Sequence, residues 1–244
     1  MNIQHIQDIL FRSSTNEEEA LQIKNLCELY ISKFWEHTYY QSMANYGHHV
    51  WHPHQLDLAM WHRDRNPHFA ERGIYSHQVI SPGDNVLELC SGDGFYTYYF
   101  FSGKASHVDA LDIDDNALEH ARRHHSSSNI QYYRSNIVLD PFPSKSYDVV
   151  VWDSAIRRLK VEEIEIVLSK VIEVLTPTNG VFSCYEIFED DQCHIPFITD
   201  IKKDELIQIF KKYFKTVKWI RTETPGRHNF YFHCFLDERP EYSQ

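Results

Sequence analysis

Basic residues are in short supply: 24 Lys and Arg stand against 35 Asp and Glu, a formal net charge of −11. Nucleic acid is therefore not an expected partner, because phosphate binding needs clustered cations to release counterions. The local basic pairs (Arg122-Arg123, Lys202-Lys203, Lys211-Lys212) each read as a solvated helix face. Long apolar runs are missing as well, and none approaches the ~20 residues that span a bilayer. The first residues, Met1-Asn-Ile-Gln-His-Ile-Gln-Asp8, lack a basic stretch followed by an apolar one, which gives no sign of export. The five cysteines (27, 90, 184, 193 and 234) have no CxxC spacing and are odd in number. Cys90, Cys184 and Cys234 lie inside apolar runs and read as buried thiols of a reducing compartment. The expectation is a soluble cytoplasmic protein with no membrane contact; nothing in the sequence fixes an oligomeric state.

What is present falls into two zones. Residues 1–80 are rich in His, Trp and Tyr, and are read as a helical, aromatic cap or lid contributing to a substrate pocket. Within it, Thr15 and Glu18 offer a capping box before Leu21, Leu26, Leu29, Tyr30 and Phe34, which recur at helical spacing. Residues 81–244 alternate strand and helix signals. Strands are expected at Val86–Leu89, Val108–Ile113, Ile130–Tyr133, Tyr147–Asp153 and Val181–Ile187, with helices from Gly94, at Asn116–His125, Glu162–Leu175 and Asp204–Phe214. The fourth strand reads as buried on both faces because Val149 to Trp152 are apolar without alternation. Val217–Ile220 and Phe230–Leu236 read as a closing antiparallel pair. The fold class is α/β: a Rossmann-like, doubly wound, seven-stranded sheet with an antiparallel C-terminal hairpin.

The most informative stretch is Val86-Leu-Glu-Leu-Cys-Ser-Gly-Asp-Gly-Phe95. An apolar strand carrying Glu88 breaks at a glycine turn that opens a helix, a layout that lets a ligand approach the backbone closely. A second acid, Asp112, ends the next apolar run twenty residues past Gly92, about where a nucleoside-binding sheet places a carboxylate on ribose. A dinucleotide fingerprint would carry a third glycine after Gly94, but Phe95, Tyr96 and Thr97 follow instead. That absence disfavours a nicotinamide-dependent oxidoreductase.

Glu88, Gly92 and Gly94 resemble the first motif of the class I S-adenosylmethionine-dependent methyltransferases, with Cys90 where the family has its first glycine. The resemblance covers about Asn66 to Leu236 and is nearest to standalone bacterial members of unassigned substrate. They share ERG (Glu71-Arg72-Gly73), LELCxGDGF (87–95) and YDVVVWDSAI (147–156). It implies S-adenosyl-L-methionine as cofactor. Glu88 would accept a hydrogen bond from the methionine amino group, and Cys90, Ser91, Gly92, Gly94 and Phe95 would line that end. Asp112 would hold the ribose diol, Ile113 would pack on the adenine, Asn136 and Ile137 would lie beside the adenine amine, and Asp153 would face the sulfonium.

Methyl transfer is an in-line displacement that needs alignment, and a base only for a hydroxyl or protonated amine. Half of the sixteen histidines fall between residues 37 and 77. His52 and His62, beside Trp51 and Trp61, are the candidate bases, with Asp153 and Arg157 as further catalytic candidates. In the resembling group an acid and a histidine commonly follow the WD-A-I stretch; here Arg157 and Arg158 stand there. They could hold an anionic group or salt-bridge Glu162 and Glu163. His48 and His52 would share a helical face, but without CxxC or HExxH no metal ligands are assigned. The expected activity is methylation of a small polar metabolite or glycan-type acceptor, on oxygen before nitrogen. Alternatives are an S-adenosylmethionine-binding protein without methyl transfer and, less favoured, the oxidoreductase.

Overall fold

A computed structural model describes residues 68–188, 201–224 and 227–239. The capping box at Thr15, Trp51, Trp61, the histidines 48, 52 and 62, Cys27 and Cys193 lie outside the described residues. Among the described residues seven strands form one sheet: β1 Asn85–Leu89, β2 His107–Asp112, β3 Ile130–Arg134, β4 Val149–Asp153, β5 Val181–Phe188, β6 Thr216–Thr224 and β7 Arg227–Phe235. Their spatial order is β3-β2-β1-β4-β5-β7-β6. All neighbours run parallel except β5 with β7 and β6 with β7. The order reverses between β1 and β4, so both carboxyl ends open into the crevice where such sheets bind ligands.

Among the described residues four α-helices cover the faces: α1 His68–Gln78, α2 Asp115–His124, α3 Val161–Val174 and α4 Lys203–Tyr213. The Asp114 carboxylate starts α2 by accepting from the Asn116 amide at 2.9 Å, satisfying one of the orphan donors of a first turn. Glu163 and Glu205 reach back to the Lys160 and Lys202 amides at 2.8 and 3.0 Å and do the same for α3 and α4. Helix α3 presents Ile164, Val167, Leu168 and Val171 to a core that contains Leu87, Leu89, Trp152, Phe182, Phe210 and Phe232. Trp152 is fully buried, and burying an aromatic of that size contributes about 1.5–3 kcal/mol or more. The two-sided burial of β4 follows from its sequence: every residue from Val149 to Asp153 is buried.

Several expected boundaries shift, most of all in the hairpin, where Val217–Ile220 becomes Thr216–Thr224 and Phe230–Leu236 becomes Arg227–Phe235; two further differences have a local physical reason. Tyr147 makes only an isolated bridge to Leu175 rather than joining β4, and its hydroxyl instead donates to buried Asp109 at 2.6 Å. The expected helix from Gly94 is interrupted by a π-helical turn over Thr97–Phe101. Such turns re-aim side chains and recur at functional sites.

Helix α1 explains the ERG stretch residue by residue. The Glu71 carboxylate accepts from Tyr231 Oη at 2.8 Å and from Thr222 Oγ1, which ties the helix to β7 and β6. Gly73 lies against the Phe100 ring, where any Cβ would collide. Arg72 points into the crevice, toward Asp153.

Candidate active site

The turn after β1 is held in an unusual backbone conformation. Cys90, Gly92 and Gly94 all have positive φ, at 60°, 56° and 74°. For an L-residue this left-handed region costs roughly 1–2 kcal/mol, so Cys90 is a strained stand-in for glycine and its small size does not remove the penalty. Cys184 and Cys234 are buried as expected, whereas Cys90 is only partly buried; desolvation pushes its thiol above the ordinary range. Gly94 cannot be replaced without a clash, because a Cβ would meet the Tyr132 hydroxyl. At Gly92 the same position opens on empty space.

Asp112 joins this turn to the next. One carboxylate oxygen accepts from the Gly92 amide at 2.8 Å, the other from the Asp114 amide at 2.9 Å. A carboxylate has about four acceptor sites, so capacity remains for a diol. Ile113, next to it, stands 57% exposed, an apolar side chain left facing outward at the expected adenine position.

Glu88 is 3% exposed, one residue before the end of β1. Burial pushes its carboxyl up to about 8, with the Thr97 hydroxyl and the Arg72 charge pulling the other way. Thr97 Oγ1 donates to Glu88 Oε2, and it reaches there because it opens the π-helical turn. At pH 7 Glu88 is therefore mostly protonated until a cation arrives.

Asp153 ends β4, the strand beside β1. Arg72 Nε lies 3.8 Å from its Oδ2, and Ser76 Oγ donates to the same oxygen at 3.0 Å. Burial raises the Asp153 carboxyl to about 6, while Arg72 and Ser76 lower it; most of it is ionised at pH 7. The Arg72 guanidinium sits 3.9 Å above the Tyr96 ring, a contact worth about 0.5–2 kcal/mol. Three buried polar atoms around these strand ends, Arg72 Nε, Ser91 Oγ and Asp153 Oδ1, have no hydrogen-bond partner among the described residues. Unsatisfied buried groups cost about 1–3 kcal/mol each, so their convergence suits a polar ligand. An amino-acid moiety with ammonium and carboxylate groups matches a set of one cation, two acids and a hydroxyl.

Phe95 is buried and packs edge-on against Tyr96. Asn136 Oδ1 accepts from the Val138 amide at 3.0 Å, closing a local turn after β3, with Ile137 buried behind it. Arg157 donates from Nη1 to the Ile187 carbonyl at 2.7 Å, and its amide donates to Glu186 at 3.3 Å. It thus ties the loop after β4 to β5 rather than pairing with Glu162 or Glu163. His52 and His62 lie outside the described residues. Arg72 and Ser76 were not picked out from sequence as site residues; the available signal was the ERG stretch itself, directly before the first strand.

Residues 86–178 match the family described as "Methyltransferase domain". The chain is 29% identical over 140 residues to a demethylmenaquinone methyltransferase of Lactococcus lactis, covering 55% of this chain and 50% of that protein. It is 30% identical over 110 residues to an uncharacterized methyltransferase of Synechocystis, covering 45% and 50%. The chain thus spans about half the length of the curated relatives it matches. Among solved structures, the N-methyltransferase NodS of Bradyrhizobium japonicum superposes with a TM-score of 0.56 at 15% identity, covering 70% of this chain and 99% of that one. A methyltransferase of Aquifex aeolicus gives 0.51 at 17% identity, covering 65% and 85%. At such identities these two likenesses speak for the fold. Residues 86–178 thus match a methyltransferase domain, and the glycine turn, the Asp112 bridge and the 3-2-1-4-5-7-6 sheet sit on the fold shared with solved S-adenosylmethionine-dependent methyltransferases.

Proposed function

We propose that the protein transfers a methyl group from S-adenosylmethionine to a small polar metabolite or glycan-type acceptor, on oxygen before nitrogen. The observation that carries this reading is Asp153: a buried carboxylate, mostly ionised at pH 7, with Oδ1 lacking a partner among the described residues. When bound, the cofactor supplies an electrophilic methyl on a sulfonium with a good leaving thioether.

The residues of this chain would supply the rest. Glu88 and Ser91 hold the cofactor's ammonium end and Arg72 its carboxylate, while Asp112 takes the ribose diol and Ile113 covers the adenine. Asp153 accepts a hydrogen bond from the acceptor hydroxyl and takes its proton as the new bond forms, contributing alignment as well as base strength. Residues 1–80 act as the cap that closes the pocket against water, with His52 or His62 as a second candidate base. Arg157 serves to position the loop after β4. The enzyme works as a cytoplasmic protein on small molecules, without nucleic acid. Among the described residues no helix is long and apolar enough to cross a membrane.

The test is methyl transfer from isotopically labelled cofactor into pools of hydroxylated and aminated metabolites. Turnover that falls at least about a hundredfold in Asp153→Asn, with cofactor affinity retained, supports the reading. Cofactor binding with no turnover in any pool would replace it with a binding protein that does not methylate.

A further inference from the structure

Where the glycine turn meets the end of α2, three metal-ligand side chains converge. Asp93, His120 and His125 each bring one ligand atom, and the three atoms lie within 4.8 Å of one another. Asp93 and His125 are 6% and 8% exposed, with His120 partly buried. Asp93 stands between Gly92 and Gly94, whereas His120 and His125 come from the second half of α2 and its C-terminal cap.

The tautomer of one ring is fixed by its neighbour. His125 Nδ1 lies 2.7 Å from the Asp93 carbonyl oxygen, which can only accept, so Nδ1 carries the proton and Nε2 the lone pair. A histidine held through one nitrogen by a backbone carbonyl is the usual arrangement around a metal-binding imidazole. The Tyr132 hydroxyl donates to the His125 carbonyl at 2.7 Å and braces the same residue through its backbone. His124 packs on His120 with ring centroids 4.5 Å apart.

We propose that Asp93, His120 and His125 form a binding site for a borderline divalent transition metal such as zinc. Two imidazoles and one carboxylate favour zinc, cobalt or nickel over calcium and magnesium, which prefer all-oxygen shells. Three protein ligands leave a fourth position for water. Metal–ligand distances of about 2.0–2.2 Å bring ligand atoms within roughly 3.5 Å of one another, so the trio closes by roughly 1 Å. His120, the least buried of the three, supplies that movement. The ion would clamp the turn between Gly92 and Gly94 to the end of α2. The site stands whether or not the crevice binds S-adenosylmethionine.

The experiment uses the full chain, stripped with a chelator and titrated with zinc chloride by calorimetry, with thermal unfolding followed with and without the metal. The expected result is one equivalent of zinc whose affinity falls at least about tenfold in His120→Ala and in His125→Gln. Zinc should raise the unfolding temperature of the wild type and not that of His120→Ala. The double variant His48→Ala/His52→Ala separates this site from the histidine-rich N-terminal segment and should bind zinc as the wild type does. Absence of zinc binding, unchanged binding in His120→Ala, or loss that follows His48 and His52 instead would each overturn the proposal. Circular dichroism of His120→Ala confirms that a loss of binding is not a loss of fold, since His120 is only partly buried.

Discussion

Arg72 and Asp153 meet at 3.8 Å although one comes from the helix before the sheet and the other from the end of β4. Their pairing makes α1 part of the crevice. With its guanidinium over Tyr96 and its Nε lacking a hydrogen-bond partner among the described residues, Arg72 is set to receive an anionic group. Replacement by lysine would keep the charge but lose the planar fork. Arg72→Lys should weaken S-adenosylhomocysteine binding about tenfold, the equivalent of roughly 1.4 kcal/mol. Calorimetry reads this directly, and unchanged affinity would remove Arg72 from the cofactor site.

Glu88 gives a proton-linked signature. Its carboxyl is pushed up to about 8 by burial, so at pH 7 it is mostly protonated, and an arriving ammonium would lower its pKa. Binding of S-adenosylhomocysteine should therefore release a fraction of a proton at pH 7, and affinity should rise between about pH 6 and 8. Titration in two buffers of different ionisation heat measures the release. Glu88→Gln should abolish it.

The same group bears on stability. A carboxyl whose pKa is raised in the fold binds its proton more tightly there than in the unfolded chain. Its contribution is full below the unfolded value near 4.5 and is lost as pH rises toward about 8. Each tenfold difference in proton affinity between the two states is worth about 1.4 kcal/mol. Asp153 acts in the same sense between its ordinary value of 3.8 and about 6. Ligand-free protein should accordingly lose stability from about pH 5 to pH 8, and Glu88→Gln should flatten that slope in denaturant unfolding curves.

Cys90 tests the turn. Its φ of 60° suits glycine, so Cys90→Gly relieves strain while it gains unfolded-state entropy and loses packing. Its unfolding temperature should stay within a few degrees of the wild type. Cys90→Val places a β-branched residue in the left-handed region and should cost about 2 kcal/mol or more. Thermal unfolding of the pair distinguishes a conformational role from a chemical one.

The central strands were readable because β1, β4 and β5 are short, largely apolar and buried runs, and β4 declared its burial by four consecutive apolar residues. Asp112 was readable because strand length and turn length fix its distance from the glycines. Arg72 was not, since its meeting with Asp153 depends on how α1 crosses the sheet, a packing choice with no local spacing. The trio at Asp93, His120 and His125 was hidden for the same reason: the turn and the far end of α2 are 32 residues apart between Asp93 and His125. The π-helical turn at Thr97–Phe101 leaves no periodic trace in five residues, four of them aromatic.

The most direct measurement is calorimetric titration of the full chain with S-adenosylhomocysteine, repeated on Asp112→Ala. The wild type should bind one equivalent, and the variant should bind at least about tenfold more weakly, because the carboxylate both braces Gly92 and takes the ribose diol. No binding to the wild type, or equal binding by Asp112→Ala, would contradict the assignment of this crevice to the cofactor.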